Sequence, residues 1–207
     1  MTFILDVYPK IAERLAPQAA AMASSDDWFV GGLPSAGKST VAATLERELR
    51  LQGRRARIVH TDRWIQDESE RHALGSFDMD GLKASVAKAA ERAKGQSATL
   101  MLPGARGSQL EMKLAPDEVL IWEGVFAAEL AASLGRTAHA INVVSSEAAR
   151  HERFMHFCER RGISAARAKT LFVRAPDEQV PETSTRSPVQ INLDACQIQS
   201  MLAKETA

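Results

Sequence analysis

The run Trp28-Phe29-Val30-Gly31-Gly32-Leu33-Pro34-Ser35-Ala36-Gly37-Lys38-Ser39-Thr40 decides the fold. Its first three residues are aromatic or β-branched, the composition of a buried strand feeding a glycine turn. Gly32 and Gly37 then bracket four residues, and a lysine and two hydroxyls follow, which is the spacing of a phosphate-binding loop between a strand and a helix. The reason is geometric. Glycines let the backbone curl so that successive amides face one point, and a helix starting near Lys38 adds the positive end of its dipole. On this reading Gly32, Leu33, Pro34, Ser35, Ala36, Gly37, Lys38, Ser39 and Thr40 wrap a nucleotide's phosphate tail. Lys38 reaches the β- and γ-phosphates, Ser39 ligates Mg2+, and Thr40 faces the α-phosphate. A chance glycine turn is the competing reading, and the strand before it and the helix after it count against it.

Downstream of the loop, residues 40–53 place Val41, Leu45 and Leu49 on one face, pair Glu46 with Arg50 and stop at Gly53, so they predict a helix. Short apolar runs at 57–60, 118–122, 140–144 and 189–193 predict four further strands. Helical spacing of Ile11, Leu15 and Ala19 predicts a helix over 6–23, and another is expected near 81–94. The stretch holding Pro103-Gly104 and Arg106-Gly107 reads as an irregular connection, and the tail after Asp194 as a final helix. Strands alternating with helices imply a parallel sheet covered on both faces, with ligands gathered at the carboxyl ends of its strands. The expected fold class is α/β: a three-layer P-loop NTPase fold with a five-stranded parallel sheet, helices on both faces and an Arg-rich helical lid.

Two carboxylates fall at such strand ends. Asp62 closes His60-Thr61-Asp62, where it would stand beside a γ-phosphate and take the proton of an acceptor hydroxyl; a plain turn or helix-cap residue is the rival reading. Glu123 closes Leu120-Ile121-Trp122-Glu123 and could hold Mg2+ through water. Farther on, Arg150, Arg153, Arg160 and Arg161 cluster with His151 and His156 before Gly162. Such a cationic helix suits a lid closing over phosphates, because guanidinium forks donate to two oxygens at once. Interleaved Glu147, Glu152 and Glu159 support the plainer reading of a solvated, ion-paired face. A zinc-protease reading of His151-Glu152 fails, since Met155 stands where the second histidine belongs.

Composition sets the frame. The 207 residues suit one domain over 1–207, with an N-terminal helix within 1–27 and a lid within 145–180. Hydrophobic residues at 45% and charged residues at 25% match a globular chain rather than a disordered one. The 26 basic and 26 acidic residues cancel, so no global field draws the chain to a polyanion or an anionic membrane. Cys158 and Cys196 lack the spacing of a zinc site or a disulfide framework. With no signal-like start and no apolar run of about eighteen residues, the expectation is a cytoplasmic protein with a small-molecule substrate and no membrane partner. A homodimer stays open, and nucleic acid is the weaker partner reading.

Taken in order, GGLPSAGKST, VHTD, SFDMDGL, VLIWEGVFA and RHERFMHFCERRG resemble the uridine kinase and phosphoribulokinase group of P-loop kinases over residues 28–194. The helix before the loop is similar to the arrangement in the bacterial fructokinase-like and pantothenate kinase-like branches. The resemblance implies ATP and Mg2+ as cofactors, Asp62 as catalytic aspartate and Asp78 as the FD aspartate that contacts substrate hydroxyls. It makes Glu123 the glutamate after the third strand, Arg153 and Arg161 lid arginines, and Arg174 part of the segment covering nucleotide and substrate. The chain also departs from the pattern. Arg63-Trp64 follow Asp62 in place of an aspartate and aromatic pair, the FD element lacks its histidine and proline, and residues 101–106 offer Arg106 where the family cradles a pyrimidine with tyrosine and histidine. The function expected is transfer of the γ-phosphoryl group of ATP to a hydroxyl of a nucleoside, sugar or pantothenate-like alcohol. Its rivals are a regulatory P-loop NTPase, and a kinase acting on a macromolecular hydroxyl such as a modified DNA base.

Overall fold

The computed structural model describes residues 3–21, 27–65, 77–104, 107–173, 189–194 and 197–200. In chain order the elements are α1 (Phe3–Ala21), β1 (Trp28–Gly32), α2 (Lys38–Leu51), β2 (Ala56–His60), α3 (Met79–Ala89), β3 (Ala98–Pro103), β4 (Gln109–Leu114), β5 (Val119–Glu123), α4 (Ala127–Ser133), β6 (Ala140–Val144), α5 (Glu147–Arg160), α6 (Ala165–Val173), β7 (Val189–Asn192) and β8 (Gln197–Ser200). The main sheet has the order β2-β5-β1-β6-β7-β8. Its first five strands are parallel, as the alternation predicts, and β8 pairs antiparallel with β7. A strand therefore stands where the tail was expected to be helical.

Period-two alternation sorts each strand's side chains between two cores. Trp28, Val30, Ile121, Ile141 and Ile191 face α1 and α2, meeting Ile11, Leu15, Val41, Leu45 and Leu49. Phe29, Leu120 and Trp122 point the other way, onto Leu82 and Val86 of α3, Leu130 of α4 and Phe126 just before it. Both faces are thus covered, which is why β1 and β5 are buried at every position. α1 carries Pro9 and Pro17 within its length. Its C-terminal part is tied down by Gln52 Nε2 donating to Ala16 O at 3.3 Å and Arg54 Nη1 donating to Ala19 O at 2.9 Å.

The stretch around Pro103-Gly104 is not irregular. β3 and β4 form a separate antiparallel hairpin, paired from Ala98↔Leu114 to Pro103↔Gln109. β3 buries Ala98, Leu100 and Leu102 and exposes Thr99 and Met101, the alternation of a half-buried strand.

A charge cluster lies buried beneath the start of β1. Asp27 and Arg92, each 1% exposed, form an ion pair, and Asp27 also accepts from Trp122 Nε1 at 3.1 Å. Arg92 donates through Nε to Glu118 O at 2.6 Å and through Nη1 to Ala89 O at 2.5 Å. Burial pushes the Asp27 carboxyl above its ordinary range, while Arg92, Trp122 and Arg136 pull it back. Among the described residues no helix is long and apolar enough to cross a membrane.

Candidate active site

The loop after β1 is shaped by two glycines. Gly32 has φ +142, and a Cβ on it would lie 2.3 Å from Val143 O; Gly37 has φ +98, and a Cβ would lie 2.0 Å from Leu193 Cδ1. No other residue combines those angles with that space. Ser35, between them, is the non-glycine residue with positive φ among those described, at 59°. Ala36 N donates to Leu33 O at 3.1 Å, and α2 begins with Thr40 N and Val41 N donating to Gly37 O at 3.0 and 3.2 Å. Lys38, 8% exposed, lays its Nζ back on Leu33 O at 3.0 Å. The loop, the start of α2 and the Lys38 ammonium lie together at the carboxyl end of β1, the arrangement in which backbone amides and a helix N-terminus can receive an anion.

β2 and β5 bring carboxylates to the same edge. Their parallel register sets His60 beside Glu123. Glu123, 6% exposed, accepts from Ser39 Oγ at 3.3 Å through Oε1 and meets His60 Nδ1 at 2.7 Å through Oε2. That hydrogen bond raises His60 above the ordinary imidazole value, against the opposing effect of burial. Ser39 and Glu123 are hard oxygen donors side by side at the loop, the chemistry that suits Mg2+ held by one or two protein groups plus phosphate.

Asp62 sits in a 3₁₀ turn, Thr61–Trp64, directly after β2. The turn packs against Gly124: a Cβ there would lie 1.8 Å from Thr61 Oγ1 and 3.3 Å from Asp62 Oδ1. Asp62 and Glu123 are thus brought to adjacent strand ends, as their positions in the sequence imply. Asp78 has a helix-capping contact, its Oδ1 accepting from Gly81 N at 2.9 Å at the start of α3. Its backbone N donates to Trp64 O at 2.8 Å, which holds the start of α3 against the Asp62 turn.

The expected lid arginines divide. Arg153 Nε donates to Ser35 O at 2.8 Å, its Nη2 meets Ser145 Oγ, and its Nη1 lies 3.7 Å from Asp194 Oδ1. Arg161 stacks its guanidinium 4.2 Å from the centre of the Phe157 ring. Arg150 is 4% exposed, its guanidinium 5.7 Å from the Phe172 ring of α6. His156 stands between Glu152 and Glu159, at 4.0 and 3.5 Å. Arg106 and Arg174 lie outside the described residues. His60 and Asp194 were not singled out from the sequence. His60 immediately precedes Thr61-Asp62 and was legible as the last residue of a strand; Asp194 reaches the loop only by tertiary contact.

No protein-family model matches the chain, and no curated protein matches it in sequence. Solved structures do resemble it. A protein from a Silicibacter species provisionally named a fructose transport system kinase is 18% identical, with a TM-score of 0.58, covering 90% of this chain and 96% of its own. D-glycerate 3-kinase from Cryptococcus neoformans var. grubii is 11% identical, with a TM-score of 0.59, covering 97% of this chain and 100% of its own. A Bacillus stearothermophilus protein provisionally named a uridine kinase is 17% identical, covers 83% of this chain and 95% of its own, and has a TM-score of 0.43. The order of strands, the helices on both faces and the loop between β1 and α2 make this the α/β fold of the P-loop kinases.

Proposed function

We propose that the chain is an ATP- and Mg2+-dependent kinase that transfers the γ-phosphoryl group to a hydroxyl of a small metabolite. The observation that carries the reading is the contact of Ser39 with Glu123, one strand away from Asp62. It joins a phosphate cradle, an oxygen-donor pair and a carboxylate at one edge of the sheet. In this reading Lys38 leaves the Leu33 carbonyl for phosphate oxygens, and Arg161 supplies charge from the lid. Asp62 accepts the proton of the acceptor hydroxyl, and Asp78 helps to frame that side of the site. Mg2+, held by Ser39 and by Glu123 directly or through water, would neutralise charge on the bridging oxygens.

The test is release of ADP from ATP and Mg2+ in the presence of sugars, hydroxy acids, nucleosides and pantothenate-like alcohols, starting with the fructose and D-glycerate of the neighbours' names. A specific acceptor should stimulate release, and Asp62→Asn should lower turnover by about 10²–10⁴-fold while ATP affinity stays within about twofold. A mutant with unchanged turnover removes Asp62 from the role of base. ATP hydrolysis indifferent to every acceptor favours a regulatory NTPase.

A further inference from the structure

We infer that Asp194 is a positioning residue which, acting through Arg153 and Ser145, holds the phosphate-binding loop in the curvature that accepts a nucleotide. The inference rests on the nucleotide-binding reading above. It assigns Arg153 to the back of the loop, on the loop's own carbonyl.

Each nitrogen of the Arg153 guanidinium has a direction. Nε donates to Ser35 O, Nη2 meets Ser145 Oγ, and Nη1 faces Asp194. Asp194 in turn accepts from the Ser145 hydroxyl and from Ser146 N, both at 2.5 Å. The corner that carries it is itself pinned, with Leu193 N donating to Val144 O at 3.1 Å and Asp194 N to Asn192 Oδ1 at 3.0 Å. Three segments distant in sequence therefore meet: the loop, the start of α5 and the turn after β7.

The bond to Ser35 matters because of where that residue sits. A left-handed serine costs roughly 1 kcal/mol that its surroundings must offset. The Ser35–Ala36 peptide is held at both ends, since its carbonyl takes Arg153 and its amide, on the opposite edge of the same plane, donates to Leu33 O. Leu193, the neighbour of Asp194, fills the space beside Gly37. One corner thus supports both ends of the loop: Ser35 by charge, Gly37 by packing. A guanidinium committed in this way acts on the cradle of the α- and β-phosphates, whereas one that clamps the γ-phosphoryl group would have to give up these contacts.

The two roles differ in which nucleotide they affect. A brace behind the loop serves ADP and ATP alike; a γ-phosphoryl clamp serves ATP alone. The experiment is calorimetric titration of wild type, Asp194→Asn, Arg153→Lys and the double variant with Mg·ADP and Mg·ATP, with melting temperatures measured alongside. Expected is a loss of about tenfold in affinity for both nucleotides in each single variant, with the ATP-to-ADP ratio within about twofold of wild type. The double variant should be no weaker than the weaker single one, because both act through one contact. A loss confined to ATP overturns the inference, and so does an Asp194→Asn protein whose two affinities stay within about twofold of wild type. A lowered melting temperature with unchanged affinities shows a merely structural role and also overturns it. Should Asp194→Asn not fold, Ser145→Ala removes one leg of the brace without stranding a charge, and both affinities should fall about threefold; unchanged affinities overturn the inference. Wild type that binds neither nucleotide overturns both this inference and the kinase reading, an outcome distinct from all the others.

Discussion

Gly124→Ala tests how tightly the Asp62 turn is built into the sheet. Gly124 lies outside the left-handed region, so alanine brings no backbone strain, and its cost is one of space. The new Cβ would stand 1.8 Å from Thr61 Oγ1 and 3.1 Å from Thr61 Cβ, and Thr61 is fully buried. Nothing there is the free end of a flexible side chain, so the turn itself must move. Overpacking of this kind costs about 2–3 kcal/mol, which in a chain of this size lowers the melting temperature by roughly 4–12 °C. Asp62 Oδ1 lies 3.3 Å from the same point, so the carboxylate shifts with Thr61. Turnover should then fall by about tenfold or more, beyond any loss of folded protein. Thr61→Ala removes the atom in collision, and Thr61 Oγ1 has no hydrogen-bond partner among the described residues. The double variant Gly124→Ala/Thr61→Ala should therefore recover about 1–2 kcal/mol and most of the turnover. Thr61→Val, which leaves a methyl in place of the hydroxyl, should recover neither. Urea denaturation of the four proteins forms the cycle; strictly additive free energies would refute the packing argument.

Arg92→Met leaves Asp27 buried with Arg136 Nη1, at 3.8 Å, as its remaining ion-pair partner, and should still cost about 3 kcal/mol by urea denaturation; a variant within about 1 kcal/mol of wild type would show that Arg136, Trp122 Nε1 at 3.1 Å and Leu120 N at 3.4 Å suffice. His60 is raised above its unfolded value of 6.5 by Glu123, so its contribution to stability is complete below about 6.5 and is lost as pH rises through the folded value. The melting temperature of wild type should accordingly decline above neutral pH more steeply than that of His60→Asn, and parallel curves would show that the pair carries no pH-dependent stability.

Much of this fold is written locally. Val41, Leu45 and Leu49 mark α2 by spacing alone, and the glycines of the loop reveal their positions because their backbone angles admit few other residues. The parallel strands are short apolar runs that survive being read out of context. Other features depend on a misleading neighbour or on residues far apart in the sequence. Thr99-Leu100-Met101-Leu102 alternates as a strand should, but Pro103-Gly104 beside it has the composition of a break, whereas Pro103 still pairs with Gln109 and Gly104 N donates to Ser108 O. The strand at Gln197–Ser200 depends on an edge of β7 to pair with, which no local pattern announces. Asp27 and Arg92 are 65 positions apart, and Ser35 and Arg153 are 118 apart. Their partnerships follow only once the sheet is assembled, so a count of charged residues could not show that these arginines are committed to structural contacts.

The order β2-β5-β1 makes the sheet a ruler. Neighbouring strands stand about 4.8 Å apart, and their ends carry in turn the Asp62 turn, Glu123 and the loop before Lys38. The two outermost strand ends therefore stand two strand spacings apart, about 10 Å in all, and the turn and the loop that follow them set the rest of the reach. On the kinase proposal, that spacing is the frame within which an acceptor hydroxyl would have to lie between the Asp62 turn and the loop before Lys38.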